Sequence, residues 1–137
     1  MTRAEAEQKL TRFLAARAES ITAAYLFGSI ARGTAGPASD VDVGILLRVD
    51  PPATLAGLLL DLEGDLESHL GVPTQLVILN HAPADLIHRV LRDGILVCER
   101  DAEARIAFEV RARAEYFDLK PILDQYRGTL VASRARS

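Results

Sequence analysis

Gly28-Ser29-Ile30-Ala31-Arg32-Gly33-Thr34-Ala35-Gly36-Pro37-Ala38-Ser39-Asp40-Val41-Asp42 is the stretch on which the reading of this chain turns. Two apolar runs frame it. Ile21 to Phe27 precedes it and stops at Gly28, which predicts a short strand over 21–27. Beyond it, Val41, Val43, Ile45 and Leu47 alternate with Asp40, Asp42, Gly44 and Leu46. That period of two predicts a strand over 40–48. Between them, residues 33–39 carry Gly, Thr, Ala, Gly, Pro, Ala and Ser, and read as a loop.

Three features of the stretch carry chemistry. Asp40 and Asp42 are two residues apart at the start of a strand, so their side chains leave one face, roughly 7 Å apart along the backbone. Asp is depleted in strands, and two like charges on one face repel. A divalent cation between them reverses that penalty, and Mg²⁺ characteristically takes one or two carboxylates together with phosphate oxygens and water. Gly44, two residues on, is expected to leave that face open. Gly28-Ser29 follows directly on an apolar strand, where Gly permits close approach of a ligand to the backbone. Ser29 is placed to cap a short helical turn through 30–33, whose free N–H groups favour phosphate. Arg32 can pair with phosphate oxygens, and equally with Asp40 or Asp42. Each feature alone is commonplace, a turn or a solvated surface pair. Their joint register between two apolar strands is not.

The rest of the chain supplies the frame. Thr2 and Glu5 have capping-box spacing, and Ala6, Leu10, Phe13, Leu14 and Ala18 follow at helical spacing, which predicts a helix over 3–18. Pro51-Pro52 breaks the chain. Leu55, Leu58, Leu59, Leu62, Leu66 and Leu70 then line one helical face, with Gly71 where a C-terminal cap belongs. Residues 74–79 read as a third strand and 95–98 as a fourth. Pro83 opens a helix carrying Leu86, Ile87, Val90 and Leu91 that Gly94 stops. Ile106, Val110, Ala114 and Phe117 mark a further helix, and Pro121 is expected to start another running to about 131. Residues 132–137 read as a disordered tail. The order α-β-β-α-β-α-β-α-α predicts an α/β (α+β) domain, a mixed sheet of about four strands flanked by helices.

With 137 residues the chain fits one domain, 1–137, and with 49% hydrophobic residues it can bury a sizeable core. The formal net charge of −3, from 16 basic and 19 acidic residues, lacks the basic excess of a free-standing nucleic-acid binder, so no direct nucleic-acid binding is expected. No apolar stretch approaches the ~18 residues of a membrane span, and the N-terminal residues lack a signal-peptide core. A cytoplasmic protein is expected. Cys98 is alone, which excludes an internal disulfide framework and a multi-cysteine zinc site.

Gly28-Ser29, ten intervening residues and Asp40-Val41-Asp42 resemble the signature of the polymerase-beta-like nucleotidyltransferase superfamily. The fuller form, Gly-Ser-x-Ala-Arg-Gly with Ser-Asp-x-Asp, looks most like its minimal members, the MNT antitoxins paired with HEPN-domain toxins. Residues 75–80, 91–99 and 108–126, with Glu-Tyr-Phe-Asp-Leu-Lys-Pro, are also similar to that family, so the resemblance covers nearly the whole chain. It implies the nucleotidyltransferase fold. It further implies that Asp40 and Asp42 hold Mg²⁺ and act in catalysis, and that Gly28, Ser29, Arg32 and Ser39 bind the nucleotide phosphates. The implied reaction transfers AMP from ATP to a tyrosine of a partner HEPN ribonuclease, silencing it (AMPylation), within a hetero-oligomer.

One position departs from the pattern. Active members add a third carboxylate from a later strand, and by position that residue is Gln75. Its amide oxygen is a weaker metal ligand and cannot act as a base, and no Asp or Glu occurs in residues 72–80 to replace it. Asp85 is expected in the exposed first turn of a helix. A catalytically weak antitoxin that neutralises by complex formation is therefore the second reading, and a small-molecule, aminoglycoside-type nucleotidyltransferase the third. His69, His81 and His88 share no ligand spacing. Cys98 reads as a small buried hydrophobe. Tyr116, Phe117 and Tyr126 beside Arg111, Arg113 and Arg127 are expected in the core, with a partner surface as the alternative. The arginines of the tail, Arg134 and Arg136, would by default lie at a disordered end.

Overall fold

The computed structural model describes the backbone of residues 1–17, 20–36, 39–49 and 56–136, and the side chains of all of these except 56–60 and 128–136. Helix α1 is Arg3–Ala15, and it opens on the expected cap, with the Glu5 N–H donating to Thr2 Oγ1 at 3.2 Å. It ends short of the predicted boundary because Ala16 turns back on Leu14 O and releases the chain toward β1, Ile21–Phe27. A one-turn helix α2, Gly28–Arg32, links β1 to β2, Val41–Leu47. Helix α3, Ala56–Leu70, leads to β3, Thr74–Ile78, and helix α4, Ala84–Asp93, to β4, Ile95–Glu99. Helix α5 is Ala102–Arg136.

The strands form one mixed sheet in the order β3-β2-β1-β4. β1 runs antiparallel to β2 and β4, while β2 and β3 are parallel. β1 and β2 are therefore the inner strands, buried on both faces, which is why they read as nearly continuous apolar runs. Helices cover both faces. On one, Leu10, Leu14, Leu26, Val43, Ile45, Leu66 and Leu70 pack together beneath α1 and α3. On the other, Ala23, Tyr25, Leu46, Leu79, Ile87, Val90, Phe108 and Ala112 pack beneath α4 and α5. Gly71 takes the left-handed conformation (φ +76°) and returns its N–H to Glu67 O at 2.8 Å, closing α3 as expected. Gly94 ends α4, its N–H bonding Val90 O at 2.7 Å. Of the predicted α3 stripe, Leu66 and Leu70 are buried and Leu62 partly so. Leu55, the side chains of Leu58 and Leu59, and the Pro51-Pro52 break lie outside the described residues.

Helix α5 departs from expectation in three ways. Pro121 sits inside it rather than starting a new helix. Proline removes the donor to the Phe117 carbonyl, and Phe117 is an exposed residue (66%), so the break falls on the solvent side of the helix. The helix continues to Arg136 through residues expected as a frayed tail, a stretch rich in the good helix formers Leu130, Ala132, Arg134 and Ala135. Its buried face is Phe108 and Ala112, not the predicted stripe. Ile106 (50% exposed), Val110 (61%) and Phe117 (66%) point outward, as does Tyr126 (64%), so Phe117 and Tyr126 are not core residues.

Candidate active site

Cross-strand register decides what meets what at the acidic end of the sheet. Asp42 lies opposite Phe27 of β1 on one side and opposite Gln75 of β3 on the other. Residues directly opposite share a face. Phe27, Asp42, Gly44, Gln75 and Val77 thus continue the face that carries Tyr25 and Leu46 under α4 and α5. Asp40 immediately precedes β2, two residues from Asp42, and is exposed. The pair was expected on one strand face; Asp42 is on β2, Asp40 falls just outside it, and the register adds Gln75 as Asp42's lateral neighbour.

Gly28 closes the site from the β1 side. Its φ is +77°, a conformation that disfavours any other residue. A methyl group there would overlap Asp42 Oδ2, so the glycine lets the Asp42 carboxylate rest directly against the backbone. Helix α2 then turns the chain away, and Gly33 (φ +75°) ends it, with its N–H on Ile30 O at 3.2 Å. Ser29 is not the cap it was expected to be. Phe27 occupies that position without a side-chain hydrogen bond, and Ser29 lies inside the helix. Its carbonyl accepts from Thr34 N at 2.9 Å, and its hydroxyl makes no hydrogen bond among the described residues. Ser39 ties the loop: Gly36 N donates to Ser39 Oγ at 2.9 Å, and Ser39 N to Gly36 O at 3.2 Å. Gly44 does not leave the face open. The buried Leu79 side chain leans over it, so that a Cβ would sit 3.2 Å from Leu79 Cδ2.

The electrostatics agree with the geometry. Burial pushes the Asp42 carboxyl above its usual range, the charge of Asp40 pushes it further, and Arg32 works the other way. The pair is thus held at a cost that a cation would relieve. Arg32 forms its ion pair with Asp93 at the end of α4, Nη1 to Oδ2 at 3.8 Å, rather than with Asp40 or Asp42. Sequence reasoning missed Asp93, because no spacing links it to the 28–42 stretch. Among the described residues no group of three or more His, Cys, Asp and Glu side chains gathers to hold a metal. Gln75, rather than a third carboxylate, lies opposite Asp42 on β3.

The other residues singled out are spoken for. Asp85 is in the first turn of α4 and pairs with Arg127 at 3.5 Å. His69 lies against Phe13, ring centroids 5.4 Å apart, and His88 stacks on Tyr116 at 3.6 Å. Cys98 is half-buried against the α1 side of the sheet. A concavity of about 410 Å³ between His81, Ile87, Phe108 and Arg111 opens beyond the far end of β3. It lies away from Asp42 and is not the acidic site.

The family model described as polymerase beta, nucleotidyltransferase matches residues 8–103, more than half the chain, including every residue of the 28–42 stretch and Gln75. The chain belongs to that family. Among solved structures it is similar to a chain of a toxin–antitoxin complex with AMP-PNP, at 26% identity and a TM-score of 0.72, covering 88% of this chain and 98% of that one. A putative minimal nucleotidyltransferase is 30% identical with a TM-score of 0.52, covering 69% of this chain and 95% of the other. A structure of a tri-AMPylated HEPN toxin from Shewanella oneidensis in complex with its MNT antitoxin shares the fold, with a TM-score of 0.69 at 21% identity over 92% and 99% of the two chains. Comparison with curated protein sequences gives no match. No helix among the described residues is long and apolar enough to cross a membrane.

Proposed function

We propose that this protein is the antitoxin of a HEPN/MNT-type pair and an adenylyltransferase, moving AMP from ATP to a tyrosine of its partner HEPN ribonuclease in the cytoplasm. The observation that carries the reading is Asp42 near the start of β2, with Asp40 two residues before it and the Gly28 backbone against the Asp42 carboxylate. The likeness to a toxin–antitoxin chain crystallised with AMP-PNP supports the nucleotide and the partner.

In this reading Asp40 and Asp42 hold Mg²⁺, and the donor set suits it: two carboxylates, of which Asp42 has its pKa raised by burial and further by the charge of Asp40. When bound, Mg²⁺ supplies charge neutralisation for the triphosphate. Gly28 and the first turn of α2 bring backbone N–H groups to the phosphates, and the Ser29 hydroxyl donates to a phosphate oxygen. Arg32 adds a charged donor, and Ser39 fixes the loop that delivers Asp40. The tyrosine oxygen bonds to the α-phosphorus, the bond to the β-phosphate breaks, pyrophosphate leaves, and the phenolic proton passes to water. Such transfer relies on positioning and charge compensation, which this constellation provides.

Gln75 favours a second reading, in which the fold neutralises the toxin by covering it. Its amide stands beside Asp42, where a carboxylate would complete the ligand set. Intact mass spectrometry of the partner after incubation with this protein, ATP and Mg²⁺ separates the two. Addition of one or more AMP units, lost in Asp42→Ala, establishes the enzyme. A stable complex with no mass gain, and neutralisation that survives replacement of both aspartates by alanine, establishes the binding antitoxin.

A further inference from the structure

Arg32 ends α2, the one-turn helix whose first residue, Gly28, lies with its backbone against the Asp42 carboxylate, yet the ion pair of Arg32 is with Asp93 at 3.8 Å. Asp93 is itself held firmly. Arg92 grips it through two parallel hydrogen bonds, Nε to Oδ1 at 3.0 Å and Nη2 to Oδ2 at 2.9 Å, and only 20% of the Asp93 side chain is exposed. The residue that follows, Gly94, ends α4 with the chain packed tightly: a Cβ there would collide with Val90 O and approach Leu26 O to 3.4 Å. The carboxylate is thus fixed at the β1 end of α4, facing α2.

An arginine beside two cation-binding carboxylates presents a physical problem. Unrestrained, it becomes their counterion and competes with the metal. We propose that Asp93 is a positioning residue that anchors Arg32 away from Asp40 and Asp42, leaving the pair to a divalent cation and the guanidinium facing the triphosphate. The inference rests on the nucleotide site proposed above. Asp93 touches neither substrate nor metal and acts through Arg32. Arg92 fixes the plane of the Asp93 carboxylate.

The test is a thermodynamic cycle on binding, independent of turnover. Wild type, Asp93→Asn, Arg32→Ala and the double variant are titrated calorimetrically with Mn²⁺ alone and with AMP-PNP plus Mg²⁺, with circular dichroism confirming that each is folded. Asp93→Asn is expected to weaken Mn²⁺ binding about two- to fivefold, the size of one half-exposed ion pair. Arg32→Ala is expected to bind Mn²⁺ at least as tightly as wild type but AMP-PNP less tightly. The double variant should match Arg32→Ala, because with no guanidinium present Asp93 has nothing to restrain. Asp93→Glu should recover part of the lost affinity. The proposal is overturned if Asp93→Asn binds Mn²⁺ as wild type does, or if it weakens Mn²⁺ equally with and without Arg32. A wild-type protein that binds neither ligand overturns instead the nucleotide site itself.

Discussion

Two carboxylates meet the same face of the sheet, Asp42 at the acidic end and Glu109 reaching down from α5 onto Tyr25. Glu109 accepts from the Tyr25 hydroxyl at 2.7 Å and from Arg105 Nη1 at 3.0 Å, with Arg113 Nη1 at 3.5 Å. Arg105 is shared with Glu99 through Nε at 2.5 Å. Burial works to raise the Glu109 pKa, but the hydrogen bonds from Tyr25 and Arg105 outweigh it and the net shift is downward. Burial, and then the hydrogen bond to Glu109 and its charge, drive the Tyr25 phenol well above its ordinary value, with Arg105 working the other way. Asp42 is also half-buried, but it meets a second negative charge and a glycine, and its pKa rises. One carboxylate is satisfied by its own chain and fastens α5 to β1 and β4. The other makes no hydrogen bond or ion pair among the described residues, and in the proposed reading a cation satisfies it. Consistency between local chemistry and fold, kept at Glu109 and broken at Asp42, separates structure from function on one surface.

The largest effect that would sharpen this contrast is on turnover. Asp42→Ala should lower the rate of AMP transfer by about a thousandfold or more, read by radiolabelled ATP, while leaving the fold intact. Gly28→Ala tests the close approach behind the unfavourable end. Its methyl displaces the Asp42 carboxylate and its φ is strained, so transfer should fall about a hundredfold. At the satisfied end the readout is stability. Glu109→Ala strands Arg105 and the Tyr25 hydroxyl, and should cost about 2–3 kcal/mol in urea unfolding with nucleotide binding unchanged. Tyr25→Phe, which removes one donor from the network, should cost about 1 kcal/mol. If Glu109→Ala abolished nucleotide binding in folded protein, the division between the two ends would be wrong.

The pH dependence separates the same two residues. Glu109, with its lowered folded pKa, contributes stability above the unfolded carboxylate pKa of about 4.3, and that contribution is lost as pH falls through the folded value. Asp42, with its raised folded pKa, does the reverse. Its favourable contribution is full below about pH 3.9 and disappears as pH rises through the folded value, so at neutral pH and without a cation it opposes folding.

Much of this was legible in the residues and some of it could not be. The strands at 21–27, near 41–47, 74–78 and 95–99, and the glycine stops at Gly71 and Gly94, follow from period and punctuation. The face that carries Asp42 follows from the same period, while Asp40, expected on that strand face too, falls just before the strand. Gly28 was expected to permit a ligand; that it cradles Asp42 itself depends on a register between β1 and β2 that no local pattern specifies. Gly44 misled for the same reason, since Leu79 comes from the segment just beyond β3. Ile106, Val110 and Phe117 have good helical spacing, but α5 carries a second apolar set at Phe108 and Ala112, and spacing alone does not say which one the sheet selects. Pro121 predicted a break, but it lies inside α5 at an exposed stretch of the helix. Asp93 was invisible because its significance is wholly tertiary.

The central claim is that the acidic pair is kept at a cost that a cation removes, and thermal unfolding of wild type and Asp42→Asn at pH 7, with and without Mg²⁺ and ATP, tests it most directly. Without cation, Asp42→Asn should melt about 2–4 °C above wild type, and Mg²⁺ with ATP should raise the wild-type midpoint but not that of the variant. An Asp42→Asn protein that melts below wild type, together with a wild type indifferent to Mg²⁺ and ATP, would contradict it.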